Sequence, residues 1–365
     1  MNAITCLLKD KLLWNRARLD CFALLVCSVL MQRSVNLVLL CLCSHSDSLI
    51  ASAYRRFQRF FSDFAMPLDD VGALVLSLLP APAQGFVLAM DRTNWQFGRK
   101  HINVLVVGVV FGKMCFPLAW MSLPQGTKKG NSNASQRIRL FKRVLGLIGA
   151  GRVRVLLMDR EFIGKKWLGW LDAQGVGYVV RVKSNTLVGG MNAGRLTRRR
   201  RWERCASRRF EVFGQQVWFA AKTATSQRAG ALQVISNRFC GAEALELYRL
   251  RWGIELFFSH LKSRGLNFED THLSEGVRIE RLCAVLAVAF TLCYRNGARV
   301  VRAKAPALKK HGHAAKSVFR VGLEDFISAI YAGRSRRLAA MLACIQKPPP
   351  PDLFAPLIRA LKIVV

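Results

Sequence analysis

The sequence predicts an α/β fold in which a mixed sheet is flanked by helices, and three observations support this prediction. Three apolar runs, 85–91, 102–111 and 114–121, follow one another with turn residues between them, which is typical of antiparallel strands. A helical pattern at 135–147 then leads into another apolar run, 153–159. This alternation of helical and extended segments indicates an α/β protein.

The α/β alternation continues and is then interrupted. A helix near 163–173 and a strand near 177–182 extend the pattern, and residues 186–241 follow with short β-like pieces and a dense basic run. A long helix is predicted at 242–263, where apolar residues recur at helical steps. We therefore expect a β-rich insertion between the last strand of the core and this helix.

Residues 1–80 are predicted to be helical, because leucine and valine recur there at three- and four-residue steps. The segment 54–61, Tyr-Arg-Arg-Phe-Gln-Arg-Phe-Phe, mixes basic and aromatic side chains. This mixture suits a helix that contacts phosphates, and it suits an ordinary helix with a charged outer face equally well. The Pro-Ala-Pro sequence at 80–82 marks the end of the region.

The charge of the chain indicates a polyanionic partner. Its 365 residues include 56 basic and 22 acidic ones, and the net charge of +34 favours nucleic acid first and an anionic membrane surface second. Hydrophobic residues make up 52% of the chain, which excludes a disordered basic tail. The most apolar early stretch, 21–43, is interrupted by Gln32, Arg33, Ser34 and Asn36, so we expect two core-facing helices there and no membrane span.

The cysteines indicate a reducing compartment. Eleven are scattered through the chain without a C-x-x-C motif, and no histidine pair has the spacing of a zinc site. This pattern favours buried thiols over a disulfide framework. No signal peptide is predicted, because Asp10 and Asp20 precede the first apolar run. We therefore expect a cytoplasmic protein.

Two of the predicted strands end in an aspartate, Asp91 and Asp159. An α/β scaffold presents metal ligands at one edge of its sheet by placing acids at strand ends. Aspartate also follows strands simply because it begins turns. Taken alone, the pair leaves both interpretations open.

The predicted long helix contributes a third acid. Tyr248, Arg251, Glu255 and Lys262 fall within an arc of roughly 60° on its surface. The neighbouring arc is apolar and consists of Leu247, Leu250, Ile254, Phe257, Phe258 and Leu261. A charged stripe beside an apolar one is normally a solvated flank, but a single glutamate among bases and a phenol also fits a catalytic stripe.

The stripe and both aspartates resemble one known family. The pattern Tyr-x-x-Arg-x-x-x-Glu-x-x-x-x-x-x-Lys at 248–262 resembles the Y-R-E-K signature of DDE transposases of the insertion sequence four family. The segments 90–98 (Met-Asp-Arg-Thr-Asn-Trp-Gln-Phe-Gly) and 158–164 (Met-Asp-Arg-Glu-Phe-Ile-Gly) resemble those around the family's first and second catalytic aspartates. Gly-Asn-Ser-Asn at 130–133 fits a subgroup of the family, and the four motifs stand in the family's order.

This resemblance implies a DNA-cutting and DNA-joining enzyme with an RNase H-like catalytic core. It implies that Asp91, Asp159 and Glu255 are catalytic and bind two Mg²⁺ ions, for which Mn²⁺ can substitute. Acids in one cleft repel each other unless cations compensate, and Mg²⁺ prefers few carboxylates plus phosphate oxygens. The resemblance also implies cut-and-paste transposition through a hairpin end, and a homodimer that bridges two ends of double-stranded DNA in a synaptic complex. Such a protein is associated with DNA in the cytoplasm of a prokaryotic cell.

Further side chains are expected to contact DNA. By the resemblance, Tyr248, Arg251 and Lys262 grip phosphates beside the scissile bond, since arginine binds phosphate bidentately and lysine acts as a point charge. Other basic candidates follow the predicted strand ends and are Arg160, Arg181 and Lys183. Trp218, and after it Trp202, could stack on a flipped base, although a small β core explains either tryptophan equally well.

Three other features have less specific roles. Glu161 is a rival metal ligand, but it can pair with Arg160 or the basic cleft, so we rank it behind the triad. A basic run favours contact with the DNA backbone over a merely solvated loop and consists of Arg195, Arg198, Arg199, Arg200, Arg201, Arg204, Arg208 and Arg209. His311 and His313 have no partner ligands and receive no role.

These predictions divide the chain into four parts. Residues 1–80 are a helical N-terminal DNA-binding region, and 301–365 are a basic, peripheral C-terminal tail. The RNase H-like core, a mixed sheet with flanking helices, covers 81–185 and 242–300, and the β-rich insertion covers 186–241. Two other hypotheses stay open: a catalytically silent, DNA-binding relic of a transposase, and a basic membrane-surface protein. The intact triad disfavours the first, and the interrupted apolar stretch disfavours the second.

Overall fold

A computed structural model describes residues 2–43, 50–124, 130–198, 208–223, 231–304, 306–307, 309–310, 314–331, 335–350 and 353. The helices are α1 (Asn2–Lys9), α2 (Arg16–Gln32), α3 (Leu37–Cys41), α4 (Ile50–Asp63), α5 (Leu68–Ser77), α6 (Ala134–Ile148), α7 (Lys165–Ala173), α8 (Ala193–Arg198), α9 (Gly241–Arg249), α10 (Trp252–Leu261), α11 (Gly276–Ala303), α12 (Val318–Tyr331) and α13 (Ser335–Gln346). The strands are β1 (Phe86–Phe97), β2 (Lys100–Phe111), β3 (Met114–Ser122), β4 (Val153–Met158), β5 (Tyr178–Arg181), β6 (Leu187–Val188), β7 (Met191–Asn192), β8 (Arg209–Val212), β9 (Gln215–Lys222) and β10 (Leu232–Ser236).

The N-terminal region consists of helices α1 to α5, in agreement with its periodicity. The side chain of Asn15 accepts a hydrogen bond from the Arg18 backbone N–H (2.9 Å) and begins α2, and Arg33, in the left-handed region at φ 53°, ends it. Asn36 begins α3 in the same way. The apolar stretch 21–43 is thus divided between two helices, and none of the described helices is long and apolar enough to cross a membrane.

The centre of the molecule is an eight-stranded mixed sheet with the order β3-β2-β1-β4-β5-β10-β9-β8. Strands β1, β2 and β3 form the predicted antiparallel meander, and β1, β4 and β5 run parallel to one another. Helix α9 covers one face, where Leu157 and Val179 pack with Leu247. On the other face, Met158 lies in the main core with Trp167 of α7. Helices therefore cover both faces, as the α/β prediction requires.

The strands differ from the expectation in two respects. Strand β1 does not end at Asp91 but continues to Phe97, because this stretch pairs with the long β2 strand, Asp91 opposite Val106 and Phe97 opposite Lys100. The segment 186–241, predicted to be a β-rich insertion, contains strands β6 to β10, and three of them extend the main sheet, since β10 pairs with β5 and is followed by β9 and β8. Both differences come from pairing with distant strands, which local sequence patterns do not specify.

The prediction of a peripheral C-terminal tail was wrong for residues 318–331. Helix α12 packs closely against α11, and its residues Phe319, Leu323 and Phe326 are fully buried. The two helices cross where Gly297 faces Gly322, and a Cβ atom at Gly322 would lie 1.8 Å from the carbonyl oxygen of Cys293. Backbones can approach this closely only where side chains are missing. A basic, proline-ended sequence therefore contributes a helix to the core.

A buried histidine makes the stability of this helical part depend on pH. His260 of α10 packs against the rings of Phe290 and Phe319, and its Nδ1 has no hydrogen-bond partner among the described atoms. Burial, together with the nearby Arg264, lowers the pKa of His260 to about 4. Because the unfolded chain takes up the proton near pH 6.5, the folded state loses stability as the pH falls from about 6.5 towards 4.

Replacing His260 with phenylalanine should remove most of this pH dependence. We expect the wild-type free energy of unfolding to fall by about 3 kcal/mol between pH 7 and pH 4 through this group alone, and the H260F protein to lack that share. Urea unfolding at both pH values measures the difference. The matched control is His272→Phe, because His272 is exposed. Equal pH dependence of wild type and H260F would contradict a buried neutral histidine.

Candidate active site

Strand register brings the two aspartates together at one edge of the sheet. Strands β1 and β4 are parallel, and Met90 pairs with Met158. The next residues, Asp91 and Asp159, are therefore neighbours at the carboxyl end of this parallel pair. Asp159 begins a turn, in which its carbonyl accepts a hydrogen bond from the N–H of Phe162 (3.0 Å). The site lies where an open α/β sheet ordinarily binds its ligands.

Asp91 is a largely buried carboxylate among other acids. Its Oδ1 accepts a hydrogen bond from the backbone N–H of Arg92 (2.7 Å), and its side chain is 17% exposed. Burial raises the pKa of Asp91 to about 6, Arg251 opposes that shift, and the charges of Glu161 and Asp159 add to it. A buried acid surrounded by other acids is the electrostatic environment in which a cation binds favourably.

The third acid is presented by a break in the helix that the sequence predicts at 242–263. Helix α9 ends at Arg249 and α10 begins at Trp252, so the prediction of one continuous helix was wrong. At the junction the backbone N–H groups of Arg251 and Gly253 bond to carbonyls three residues earlier, Tyr248 and Leu250 (3.0 Å each). This tighter turn interrupts the α-helical hydrogen-bond pattern and leaves its residues in right-handed helical conformations.

Close packing on the β2–β3 turn accompanies the break. A Cβ atom at Gly253 would lie 3.0 Å from the carbonyl oxygen of Lys113, so α10 starts in contact with the backbone of that turn. Ile254 and Phe257 are buried there, while Glu255 is one-third exposed at the rim. The geometry directs Glu255 towards the edge of the sheet that carries Asp91.

Arg251 links the acids of the helix and the sheet. Its Nη1 lies 3.0 Å from Asp91 Oδ2, its Nη2 donates to Glu255 Oε1, and its side chain is only 9% exposed. Tyr248 donates its hydroxyl proton to Asp159 Oδ1 at 3.1 Å. Burial raises the pKa of Tyr248 well above its usual range, with Arg251 opposing, so the phenol stays protonated. Two residues of the predicted stripe, Tyr248 and Arg251, therefore contact both aspartates and Glu255 in this structure.

Glu161 is a fourth acid at the same edge, and its partner was not predicted. Arg92, not Arg160, pairs with it at 3.3 Å, and the same guanidinium donates to Asn103 and, at 3.4 Å, to Asn131. The one sequence signal for this pairing is the position of Arg92, which directly follows Asp91 in the motif. Asp91, Asp159, Glu161 and Glu255 are called the carboxylate cluster below.

The segment 130–133 owes its composition to its position beside the carboxylate cluster. Asn133 caps α6 and forms a reciprocal capping box with Gln136. The buried Arg137 donates to the carbonyls of Ser132 and, at 2.9 Å, of Glu161, and it reaches Ile163 at 3.2 Å. One side chain thus fastens this segment to the loop after Asp159.

Replacing Arg137 with methionine should loosen that loop. The change removes the donors of three carbonyls, and we expect a loss of about 3 kcal/mol in the free energy of unfolding. Thermal or urea unfolding measures it, with the exposed Lys142→Met on the same helix as the matched control. A loss no larger than that of the control would show that the Arg137 hydrogen bonds do not hold the loop.

The predicted DNA-contacting bases lie at different distances from the cluster. Arg181 Nη1 is 4.0 Å from Asp159 Oδ1. Arg160, which follows Asp159, and Lys183, two residues after Arg181, are both exposed. Lys262 follows the end of α10, where its Nζ contacts the Asn94 carbonyl (3.0 Å) and the Glu269 carboxylate (2.7 Å). Lys262 therefore lies beside β1 at Asn94, which is three residues after Asp91 on that strand.

The structure does not place Trp218 beside the acids. Trp218 lies on β9, three strands from β4 and therefore about 14 Å away. It is half-buried, and the guanidinium carbon of Arg209 lies 5.4 Å from the centre of its ring. Trp202, His311 and His313 lie outside the described residues, as do Arg199, Arg200, Arg201 and Arg204.

The donor set fits a divalent metal, but the present arrangement has a cation of its own. Four carboxylates lie at one edge of the sheet, and oxygen ligands of this kind suit Mg²⁺. Among the described residues, no three acids, histidines or cysteines stand close enough to hold a metal ion together. The guanidinium of Arg251 lies between Asp91 and Glu255 instead. These residues could hold a metal once Arg251 has moved.

Acids at the end of parallel strands, with bases around them in a chain of charge +34, suit a polyanionic substrate. Residues 84–292, more than half of the chain, match the family model described as the transposase DDE domain. The chain belongs to this family, and the matched region contains the carboxylate cluster and every strand. A search of curated proteins finds no match. The protein is thus a transposase of the DDE class, whose partner is DNA and whose members use divalent metal ions.

Proposed function

We propose that the protein is a transposase of the insertion sequence four family, which cuts an insertion sequence at its terminal repeats and joins it to target DNA. The observation that supports this proposal is the meeting of Tyr248, Arg251 and Glu255 with Asp91 and Asp159. Five residues from three separated motifs contact one another through the register of β1 with β4 and the turn between α9 and α10.

In this proposal Asp91, Asp159 and Glu255 hold two Mg²⁺ ions, for which Mn²⁺ can substitute. The ions, when bound, activate the attacking water or 3′-hydroxyl and stabilise the leaving oxygen. The protein's own contribution is to fix the acids. Arg92 N–H orients Asp91, and the Tyr248 hydroxyl orients Asp159. Glu161 stays outside the ligand set, because Arg92 pairs with its carboxylate while Arg137 fixes its backbone carbonyl.

The bases around the carboxylate cluster bind the DNA backbone. Arg251 pairs with Asp91 and Glu255, Arg181 lies 4.0 Å from Asp159, and each can take a phosphate next to the scissile bond. The exposed Arg160 and Lys183 extend this positive surface, and Lys262 extends it along β1. Tyr248 can donate to a phosphate oxygen instead of Asp159. Six donors around one acidic edge, five bases and one phenol, suit a substrate that carries a phosphate at every nucleotide.

The finer steps are also part of the proposal. Excision proceeds by cut-and-paste through a hairpin end, and a homodimer bridges both ends in a synaptic complex in the cytoplasm of a prokaryotic cell. Trp218 is the candidate ring for a flipped base. Since it is three strands from Asp159, it can hold only a nucleotide some way from the bond that is cut. Residues 1–80 bind the element ends, and the exposed Arg55, Arg56 and Arg59 of α4 suit phosphate contacts.

The test is the product set on DNA that carries both element ends with their flanks. With Mg²⁺ and a supercoiled target, we expect double-strand release of the element, a hairpin at the excised end on a denaturing gel, and joined products. Release without a hairpin would reject the hairpin route and keep the transposase. Binding of the ends without any strand break would reject the proposed function.

A further inference from the structure

The guanidinium of Arg251 occupies the space that a shared metal ion needs. Its two terminal nitrogens contact Asp91 and Glu255 at the same time, which ties an acid of the sheet to an acid of the helix. A divalent ion held by these two acids and the guanidinium are both cations and compete for the same oxygens. The structure describes one of two mutually exclusive ways to compensate this buried charge.

The surroundings of Arg251 allow its side chain to move away from the two acids. Its Nε is buried and has no hydrogen-bond partner among the described atoms, so the present position satisfies the side chain incompletely. Beside it lies a groove of about 560 Å³, lined in part by Tyr248, Arg249 and Trp252, with room for a displaced guanidinium. A phosphate there would offer bidentate, charge-assisted hydrogen bonds in exchange for the carboxylates.

We propose that Arg251 keeps the Asp91–Glu255 pair closed to divalent cations until a DNA phosphate takes its guanidinium. This inference rests on the proposed function, because it concerns the metal site of that function. The metal then binds after DNA, and the protein without DNA has no metal-occupied nuclease site. The ordinary explanation of the contact is an i,i+4 ion pair of the helix, but that pair does not require the further bond to Asp91.

The test is Mn²⁺ binding to the full-length protein without DNA, measured by titration calorimetry. If the guanidinium occupies the acid pair 90–99% of the time, it lowers the apparent affinity about 10- to 100-fold. Arg251→Gln should therefore bind Mn²⁺ at least about tenfold more tightly than wild type. Arg251→Lys keeps the charge but offers one nitrogen in place of two, so it should show part of the same gain.

The matched control is Arg320→Gln in α12, because Arg320 also forms an i,i+4 ion pair with a glutamate, Glu324, and lies outside the carboxylate cluster and its groove. It should bind Mn²⁺ like wild type. Circular dichroism establishes that each variant is folded, and if Arg251→Gln does not fold, the lysine variant decides the matter. Adding short duplex DNA should tighten Mn²⁺ binding more in wild type than in either Arg251 variant, because only wild type has a closed pair to open.

Each outcome decides whether Arg251 keeps divalent cations from the Asp91–Glu255 pair. Tighter binding by both Arg251 variants supports it. Tighter binding by Arg251→Gln with wild-type affinity in Arg251→Lys shows a plain effect of charge and overturns it, as does the absence of any gain in either variant. Cleavage of element ends by the wild-type protein is measured separately, so the role proposed for Arg251 can be rejected without rejecting the transposase function.

Discussion

Replacing Glu255 with glutamine should abolish DNA cleavage and leave binding of the element ends largely intact. Glutamine keeps the size of the side chain and removes the charge that compensates a cation. Metal ions supply several kcal/mol to this kind of phosphoryl transfer, so we expect a loss of about 1,000-fold or more in the cleavage rate. End binding should change little, because the backbone contacts come from bases spread over several elements.

The measurement pairs a cleavage time course with a binding titration of the same end fragment at one salt concentration. Glu246→Gln is the matched control, because Glu246 is exposed on α9 and pairs with Arg249. It should cleave at the wild-type rate. If Glu255→Gln lost binding together with cleavage, the acid would have a structural role in the turn between α9 and α10, and the assignment of a catalytic stripe would be wrong.

Replacing Gly322 with alanine should destabilise the protein more than any surface change. The new Cβ would lie 1.8 Å from the Cys293 carbonyl oxygen and 2.7 Å from the backbone nitrogen of Gly297. Both atoms belong to the backbone of α11, so relief requires the two helices to separate. Overpacking of a tight core ordinarily costs about 1–3 kcal/mol, and we expect at least the upper end here.

Urea unfolding compares this variant with Gly146→Ala in α6. No atom lies within 4 Å of a Cβ at Gly146, so that substitution should stabilise the helix by about 0.5–1 kcal/mol. The two glycine-to-alanine changes should therefore have opposite signs. Similar midpoints for both variants would contradict the close crossing of α11 and α12, and with it the inclusion of residues 318–331 in the core.

The sequence predicted those parts of the fold that depend on local periodicity. The meander at 85–121 and the helices of the N-terminal region follow from apolar residues at steps of two or of three and four. The pairing of β10 with β5 could not be predicted, because the edge of a sheet accepts any strand of suitable pattern and the paired residues are 53 to 57 positions apart in the sequence. The crossing at Gly297 and Gly322 was missed for the same reason.

The candidate site was predicted less completely. Motif spacing indicated which residues share a face, so Tyr248, Arg251 and Glu255 were found. It did not indicate that the helix turns at Leu250 and Arg251, since neither residue is a proline or a glycine and both keep helical dihedrals. Motif spacing also did not indicate which acid Arg251 pairs with when no DNA is bound. The contact between Arg251 and Asp91 is therefore seen only in the structure.

The chemical assignment rests on the family and on geometry together. The match over 84–292 makes the chain a DDE transposase. The register of Met90 with Met158 makes neighbours of two aspartates that are far apart in sequence. The separate roles of the acids and bases, the ions and the hairpin are proposals that these contacts support.

One cleavage assay tests the central claim most directly. A DNA fragment that spans the boundary of the element and its flank is incubated with wild-type protein and with Asp91→Ala, each with Mg²⁺ and with EDTA. We predict cleavage at the boundary only by the wild-type protein with Mg²⁺. Cleavage by Asp91→Ala at the wild-type rate, or binding without cleavage in all four reactions, would contradict a metal-dependent site built on Asp91.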